Sequence, residues 1–239
     1  DPRPITGDDL NAVAFAELYS KAAWGELAQA LAQAANGDGS MIRQLVDEDW
    51  FGRNDDGTFD PATDKYFLIT AADQTYSHNL SGYFDLGDFA WGTFDHFYVN
   101  NGYAELNYGL YPVKGRDAFK GPFHVPQSSP TILVVDTTHD PATPYRGGKR
   151  LARDLGQTRL LTMRGDNHTA YQGNSPCIDS KVEDYLINLN LPAPGTTCIQ
   201  DVPFEAPAAQ AQAQGMSKSL LRKLQRVPTL LHTRPLQVG

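Results

Sequence analysis

The sequence predicts an α/β protein with a parallel sheet, and three observations carry that prediction. Ile132, Leu133, Val134 and Val135 form an unbroken apolar run bounded by Pro130 and by polar residues after Val135. That is the pattern of a short strand buried on both faces. Residues 145–155 then read as a helix, with Leu151 and Leu155 four apart on one face. Leu160, Leu161 and Met163 mark a second short strand, so residues 132–163 form one β-α-β unit with parallel strands.

Each of these strands ends in a polar turn. Asp140-Pro141 follows the first, and Gly165-Asp166-Asn167-His168-Thr169 follows the second. In a parallel sheet both turns emerge at the same edge, where open α/β sheets place their chemistry. An acid followed by a histidine is the chain order in which α/β-hydrolases present their acid and base, with the serine earlier. Asp140 would hold the His168 imidazole in one tautomer and stabilise the imidazolium formed during proton transfer. Spacing alone leaves a surface histidine and a turn aspartate equally open. Asp136, nearer the strand end, is the rival acid. His139 precedes the turn and is read as a neighbour, and Asp166 stands too close to His168 to be its usual partner.

Several pieces then occur together: Asp140-Pro141-Ala142-Thr143-Pro144, the Gly165-x-x-His168-Thr169 turn, Cys177, and residues 191–198 reading Leu-Pro-Ala-Pro-Gly-Thr-Thr-Cys. The combination resembles the carboxyl-terminal region of secreted tripeptidyl aminopeptidase-like α/β-hydrolases, relatives of the proline iminopeptidases. The resemblance covers roughly residues 6–198. It implies the carboxyl-terminal portion of an α/β-hydrolase fold with a helical cap segment. It also implies Asp140 and His168 as acid and base, and release of short peptides from free amino termini without metal or organic cofactor. Cys177 and Cys198 have no CxxC or His-rich spacing that would suggest zinc. As residues alone they fit two free thiols or a bridge; the resemblance implies the bridge and an oxidising, extracytoplasmic compartment.

One departure is as informative as the match. No Gly-x-Ser-x-Gly occurs in the chain. Gly173-Asn174-Ser175-Pro176-Cys177 starts the pattern but lacks its last glycine and follows the histidine turn, and Gly39-Ser40 follows an alanine-rich helix. In the family the nucleophile and oxyanion donors lie upstream of the matching region. The expectation is an acid- and base-bearing subunit or fragment, with the serine on an upstream chain cut from the same precursor; an inactive relic or a truncated product is the other reading of the missing serine. An esterase or acylase of the same fold, and a non-catalytic binding subunit, are the alternatives.

The rest of the chain fits around this unit. Residues 1–62 read as a helical, cap-like segment. Thr6 is a candidate N-cap with Asp8 and Asp9 in the first turn. Ser20 begins a second helix, with Trp24, Leu27 and Leu31 at helical spacing and Gly37 as its stop. Met41, Ile42, Leu45 and Val46 supply a third. Residues 63–204 read as the hydrolase core, opening with a strand over residues 66–70 after an Asp-Gly turn, and closing with a helix over 178–189. Between Tyr76 and Tyr111 aromatic residues crowd together with Asp85, Asp88, Asp95 and Glu105. These could wall a cleft and offer a carboxylate to a peptide ammonium, although rings covering the boundary of cap and core, with acids facing water, explain any single one of them better. His78, His96 and His124 show no metal-ligand spacing and are read as structural. Residues 205–239 form an Ala/Gln linker and a basic tail with a helix over 217–227.

Composition sets the outer limits. With 239 residues, 41% hydrophobic and 20% charged, the chain can bury a core of its own. A net charge of −8 argues against nucleic acid, whose phosphates demand clustered Lys and Arg. The tail from Glu205 carries five Lys or Arg against one acid, so its short helix reads as a dock on its own protein or a flexible end before it reads as a membrane element. No long apolar span appears in the sequence.

Overall fold

A computed structural model describes residues 3–54, 56–93, 103, 105–119 and 121–202. The predicted linker and tail, with the basic helix over 217–227, and Asp95 and His96 lie outside them.

Helix α1, Gly7–Glu17, opens with a reciprocal cap. The Asp9 N–H donates to Thr6 Oγ1 at 3.2 Å, and the Thr6 N–H donates to Asp9 Oδ2 at 2.8 Å, satisfying two of the donors a helix start leaves open. A 3-10 turn at Lys21–Ala23 leads into α2, Trp24–Ala35, and α3, Ser40–Leu45, continues as a π turn over Val46–Trp50. Ser20 stands at the head of the 3-10 turn without a side-chain capping bond. Val13, Ala30, Ile42, Leu45 and Val46 close these helices on a shared core, with Leu10, Leu27 and Leu31 packed against it. Arginine–aspartate pairs link these segments, among them Arg43 with Asp9 at 2.7 Å and Arg53 with Asp47 at 3.3 Å.

Residues 66–70 form no strand. They lie inside helix α4, Ala62–Asp73. Tyr66, Phe67 and Ile69 favour strands in composition, but the preference follows the surroundings. Here Asp60 Oδ1 accepts from the Ala62 N–H at 2.7 Å, Pro61 precedes the first turn, and Ala71-Ala72 follow. Among the described residues no strand pairs with residues 66–70, and the backbone closes its hydrogen bonds within the segment. Helix α5, Leu80–Thr93, and the short α6, Leu106–Leu110, complete this helical part. Phe67 meets Tyr108 with ring centroids 5.5 Å apart, tying α4 to α6.

The predicted β-α-β unit is present. Strand β1, Ile132–Thr137, pairs in parallel with β2, Thr158–Arg164, in a register that sets Asp136 beside Thr162 and Thr137 beside Met163. Helix α7, Tyr145–Leu155, connects them. A third parallel strand, β3 at Thr197–Ile199, pairs with β2, giving the order β1-β2-β3. It was not foreseen, because three residues carry no periodicity to read. Helix α8, Pro176–Asn188, precedes it.

Alternation along the strands assigns the two faces. Leu133, Val135, Leu161 and Met163 pack with Ile178 and Val182 of α8. Asp136 and Thr162 face α7: a Cβ on Gly148 would meet Asp136 Oδ2, and Tyr145 Oη shares a 2.7 Å hydrogen bond with Thr162 Oγ1. A Cys177–Cys198 disulfide fastens the start of α8 to β3, with Cα atoms 5.7 Å apart. Among the described residues no helix is long and apolar enough to cross a membrane, and no group of three His, Cys, Asp or Glu residues is placed to hold a metal ion.

Candidate active site

The turns after β1 and β2 are stitched to each other before any side-chain chemistry begins. Thr138 N–H donates to Met163 O at 2.9 Å, and His139 N–H to Gly165 O at 3.0 Å. Thr138 Oγ1 donates to Gly165 O at 3.2 Å and accepts from the Gly165 N–H at 3.1 Å. Two loops that leave the same sheet edge are thereby held side by side.

Asp140 and His168 meet across this seam. Both carboxylate oxygens of Asp140 lie 3.0 Å from His168 Nδ1. The carboxylate accepts three further bonds from backbone N–H groups: Ala142 at 2.8 Å, Thr143 at 2.7 Å and Thr169 at 3.1 Å. Burial by itself would raise the pKa of this carboxyl. The Thr143 N–H, the His168 ring and the Ala142 and Thr169 N–H groups outweigh it and hold the carboxyl below its ordinary value. Asp140 is therefore an anion at neutral pH. With its oxygens fixed as acceptors, the proton on the facing nitrogen belongs to His168, which leaves Nε2 as the basic atom.

Exposure separates the two roles. The Asp140 side chain is 2% exposed and that of His168 27%. The acid is sealed in, while the imidazole reaches a surface, and no described residue bonds its Nε2. Thr169 follows with φ +64°, a left-handed conformation that a β-branched residue adopts at a cost. Its N–H is one of the donors to Asp140, so the strained turn and the acid hold each other in place.

The rival acids are engaged elsewhere. Asp136 turns toward α7; its Oδ1 accepts from the Thr137 N–H at 2.8 Å, and burial pushes its carboxyl pKa up. Its place within the pleat decides this, since a residue still in the strand points to one sheet face. Asp166 pairs with His139 at 3.2 Å and with Lys21 at 3.4 Å. The two serine patterns are also structural. Buried Ser175 donates to Ile199 O at 2.7 Å, and Ser40 Oγ bonds its neighbour Asp38. His78 Nδ1 lies 2.8 Å from Gly109 O, and Asp85, Asp88 and Glu105 are exposed.

Two residues gave no sign of themselves in the sequence. The Tyr19 ring lies against that of His168, centroids 4.7 Å apart in a T-shaped arrangement, and Tyr19 O accepts the His168 N–H at 2.9 Å. Two positions before it, Glu17 is buried. Burial, the negative charges of Asp49 and Glu26, and a hydrogen bond with Asp49 raise its pKa to about 7. Neither could be found from local pattern, because the partners lie far away along the chain.

This parallel sheet with helices on both faces is the carboxyl-terminal portion of an α/β-hydrolase fold. Residues 105–198 match the family of TAP-like proteins. The chain is similar to serine protease Hip1 of Mycobacterium tuberculosis, 31% identical over 216 residues, covering 83% of this chain and 38% of that protein. It is 28% identical over 208 residues to carboxylesterase B of the same organism, with the same two coverages. Tripeptidyl aminopeptidase of Streptomyces lividans is 31% identical over 101 residues, covering 41% of this chain and 18% of that protein. The chain thus spans well under half the length of these curated relatives.

Proposed function

We propose that residues 1–239 supply the acid and base of a serine hydrolase whose nucleophile comes from polypeptide outside them. The observation that carries this reading is the buried, anionic Asp140 bonded to Nδ1 of a partly exposed His168. That geometry leaves Nε2 ready to take a proton from a hydroxyl and later return it to a leaving group. His168 is the base and Asp140 the orienting acid. The hydroxyl comes from an upstream segment of the same precursor. The bridge between Cys177 and Cys198 fits an extracytoplasmic setting.

The substrates are short peptides with free amino termini, a reading supported by the similarity to a tripeptidyl aminopeptidase and to a serine protease. The similarity to a carboxylesterase favours ester hydrolysis as the second reading, since one triad serves both acyl groups. A panel of aminoacyl amides and acyl esters, offered to this chain together with its serine-bearing partner, separates them. Amide turnover that is lost on blocking the amino terminus supports the peptidase, and ester turnover alone supports the esterase. Turnover that survives His168→Ala would overturn both.

A further inference from the structure

The base-bearing turn is gripped from the opposite end of the chain. Besides the Tyr19 carbonyl, which accepts the His168 N–H, the Lys21 N–H donates to Asn167 Oδ1 at 2.8 Å. Asn167 is buried, and its Nδ2 donates to His168 O at 3.1 Å. Lys21 Nζ reaches Asp166 at 3.4 Å. Residues 19–21 thus hold the turn through the side chains of Asp166 and Asn167 and the backbone of His168, and none of these bonds fixes the torsions of the His168 side chain.

The imidazole has one described hydrogen-bonding anchor, Asp140 on Nδ1. A ring held at one nitrogen can still tip about that bond, because the terminal torsion of histidine is broad. The Tyr19 ring supplies the second constraint, standing at 69° to the imidazole plane with centroids 4.7 Å apart. An edge-to-face contact favours one relative orientation of the rings. The Tyr19 phenol is itself shifted upward by burial and by the nearby Tyr66 and Asp140, which fits a ring seated in the wall of the site.

We infer that Tyr19 is a positioning residue for His168: its ring holds the imidazole plane so that Nδ1 stays on Asp140 and Nε2 stays presented. The helices before and after residues 19–21 are thereby linked to the base. The inference rests on the reading of His168 as the base, but its test does not require turnover.

The measurement is nitrogen-detected NMR of the histidine rings in the 239-residue chain, comparing Tyr19, Tyr19→Phe and Tyr19→Leu. Phenylalanine keeps the ring, and leucine keeps apolar bulk without it. The Nδ1–H of His168 exchanges with water at the native rate in Tyr19→Phe and roughly 3- to 10-fold faster in Tyr19→Leu. An unchanged rate in Tyr19→Leu overturns the inference. Nuclear Overhauser contacts between the Tyr19 and His168 ring protons in the unmodified protein decide the matter if the leucine variant does not fold, and their absence is equally fatal. In an active preparation Tyr19→Leu lowers kcat by the same factor and leaves KM in place. His168-dependent turnover with unaltered ring exchange sinks the positioning role alone. Faster exchange without any His168-dependent turnover sustains it and removes the hydrolase.

Discussion

Asp140 shows how a carboxylate is kept ionised inside a protein. Burial works against its charge, yet three backbone N–H groups and an imidazole converge on two oxygens. Replacing it with asparagine keeps the shape and puts an amide where only acceptors belong, so His168 shifts toward the wrong tautomer. Asp140→Asn is expected to lower turnover of the complemented enzyme on the order of 10⁴-fold with little change in fold, measured by steady-state kinetics and circular dichroism. Asp136→Asn, on the α7 side, is expected to leave turnover within about twofold and to be neutral or mildly stabilising, because a buried carboxyl with a raised pKa loses its charge problem.

Glu17 gives a prediction about pH. Its folded-state pKa of about 7 stands above the ordinary 4.5, so the native state holds this proton more tightly than the unfolded chain does. Its contribution to stability is therefore greatest at acid pH. It falls as pH rises from about 4.5 to about 7 and is level beyond. Urea unfolding is expected to show a loss on the order of 3 kcal/mol across that window, absent in Glu17→Gln. Asp140 acts in the opposite sense: its lowered pKa adds stability above the ordinary carboxylate range that disappears as pH falls below it.

What could be read at this scale followed from local order. Asp140 and His168 each come just past a strand, and parallel strands bring such turns together. The pleat turns Asp136 toward α7 while Asp140, past the strand end, meets His168, and no spacing rule states that. Tyr19 and Glu17 stayed hidden because their surroundings are assembled by distant helices.

At the scale of elements, the β-α-β unit was legible because a run bounded by proline and a polar turn admits few alternatives. Residues 66–70 were misread for the converse reason. A strand-like composition means little without a partner strand, and Asp60, Pro61 and Ala71 turn the segment into a helix. The short β3 escaped notice although it secures the unit. Its Cys198 is tied to Cys177 at the start of α8, 21 residues away. Replacing both cysteines with alanine is expected to cost about 3 kcal/mol in the chain-entropy picture, read as a lower urea midpoint. Fraying is expected first at β3 and the start of α8, where hydrogen exchange would accelerate before the rest of the sheet. A uniform acceleration across all three strands would show instead that the bridge acts on the unfolded chain alone.

At the scale of the molecule, the described sheet carries apolar surface beyond what the described residues cover. Strand β1 pairs along one edge only, Ile132 and Leu151 are exposed, and Ile187 on α8 is 77% exposed. Open edges and apolar patches of this kind invite further polypeptide, which agrees with a nucleophile supplied from elsewhere. Adding the serine-bearing partner is therefore expected to quench the fluorescence of a dye bound to these patches and to raise the melting temperature together.

The proposed hydrolase requires that His168 serve a serine that residues 1–239 do not provide in a nucleophile elbow. Treating the native preparation with a fluorophosphonate and mapping the modified residue by mass spectrometry asks this directly. The predicted result is a single labelled serine on polypeptide outside residues 1–239, lost in His168→Ala. Labelling that persists without His168, or that falls on Ser40 or Ser175, would contradict it.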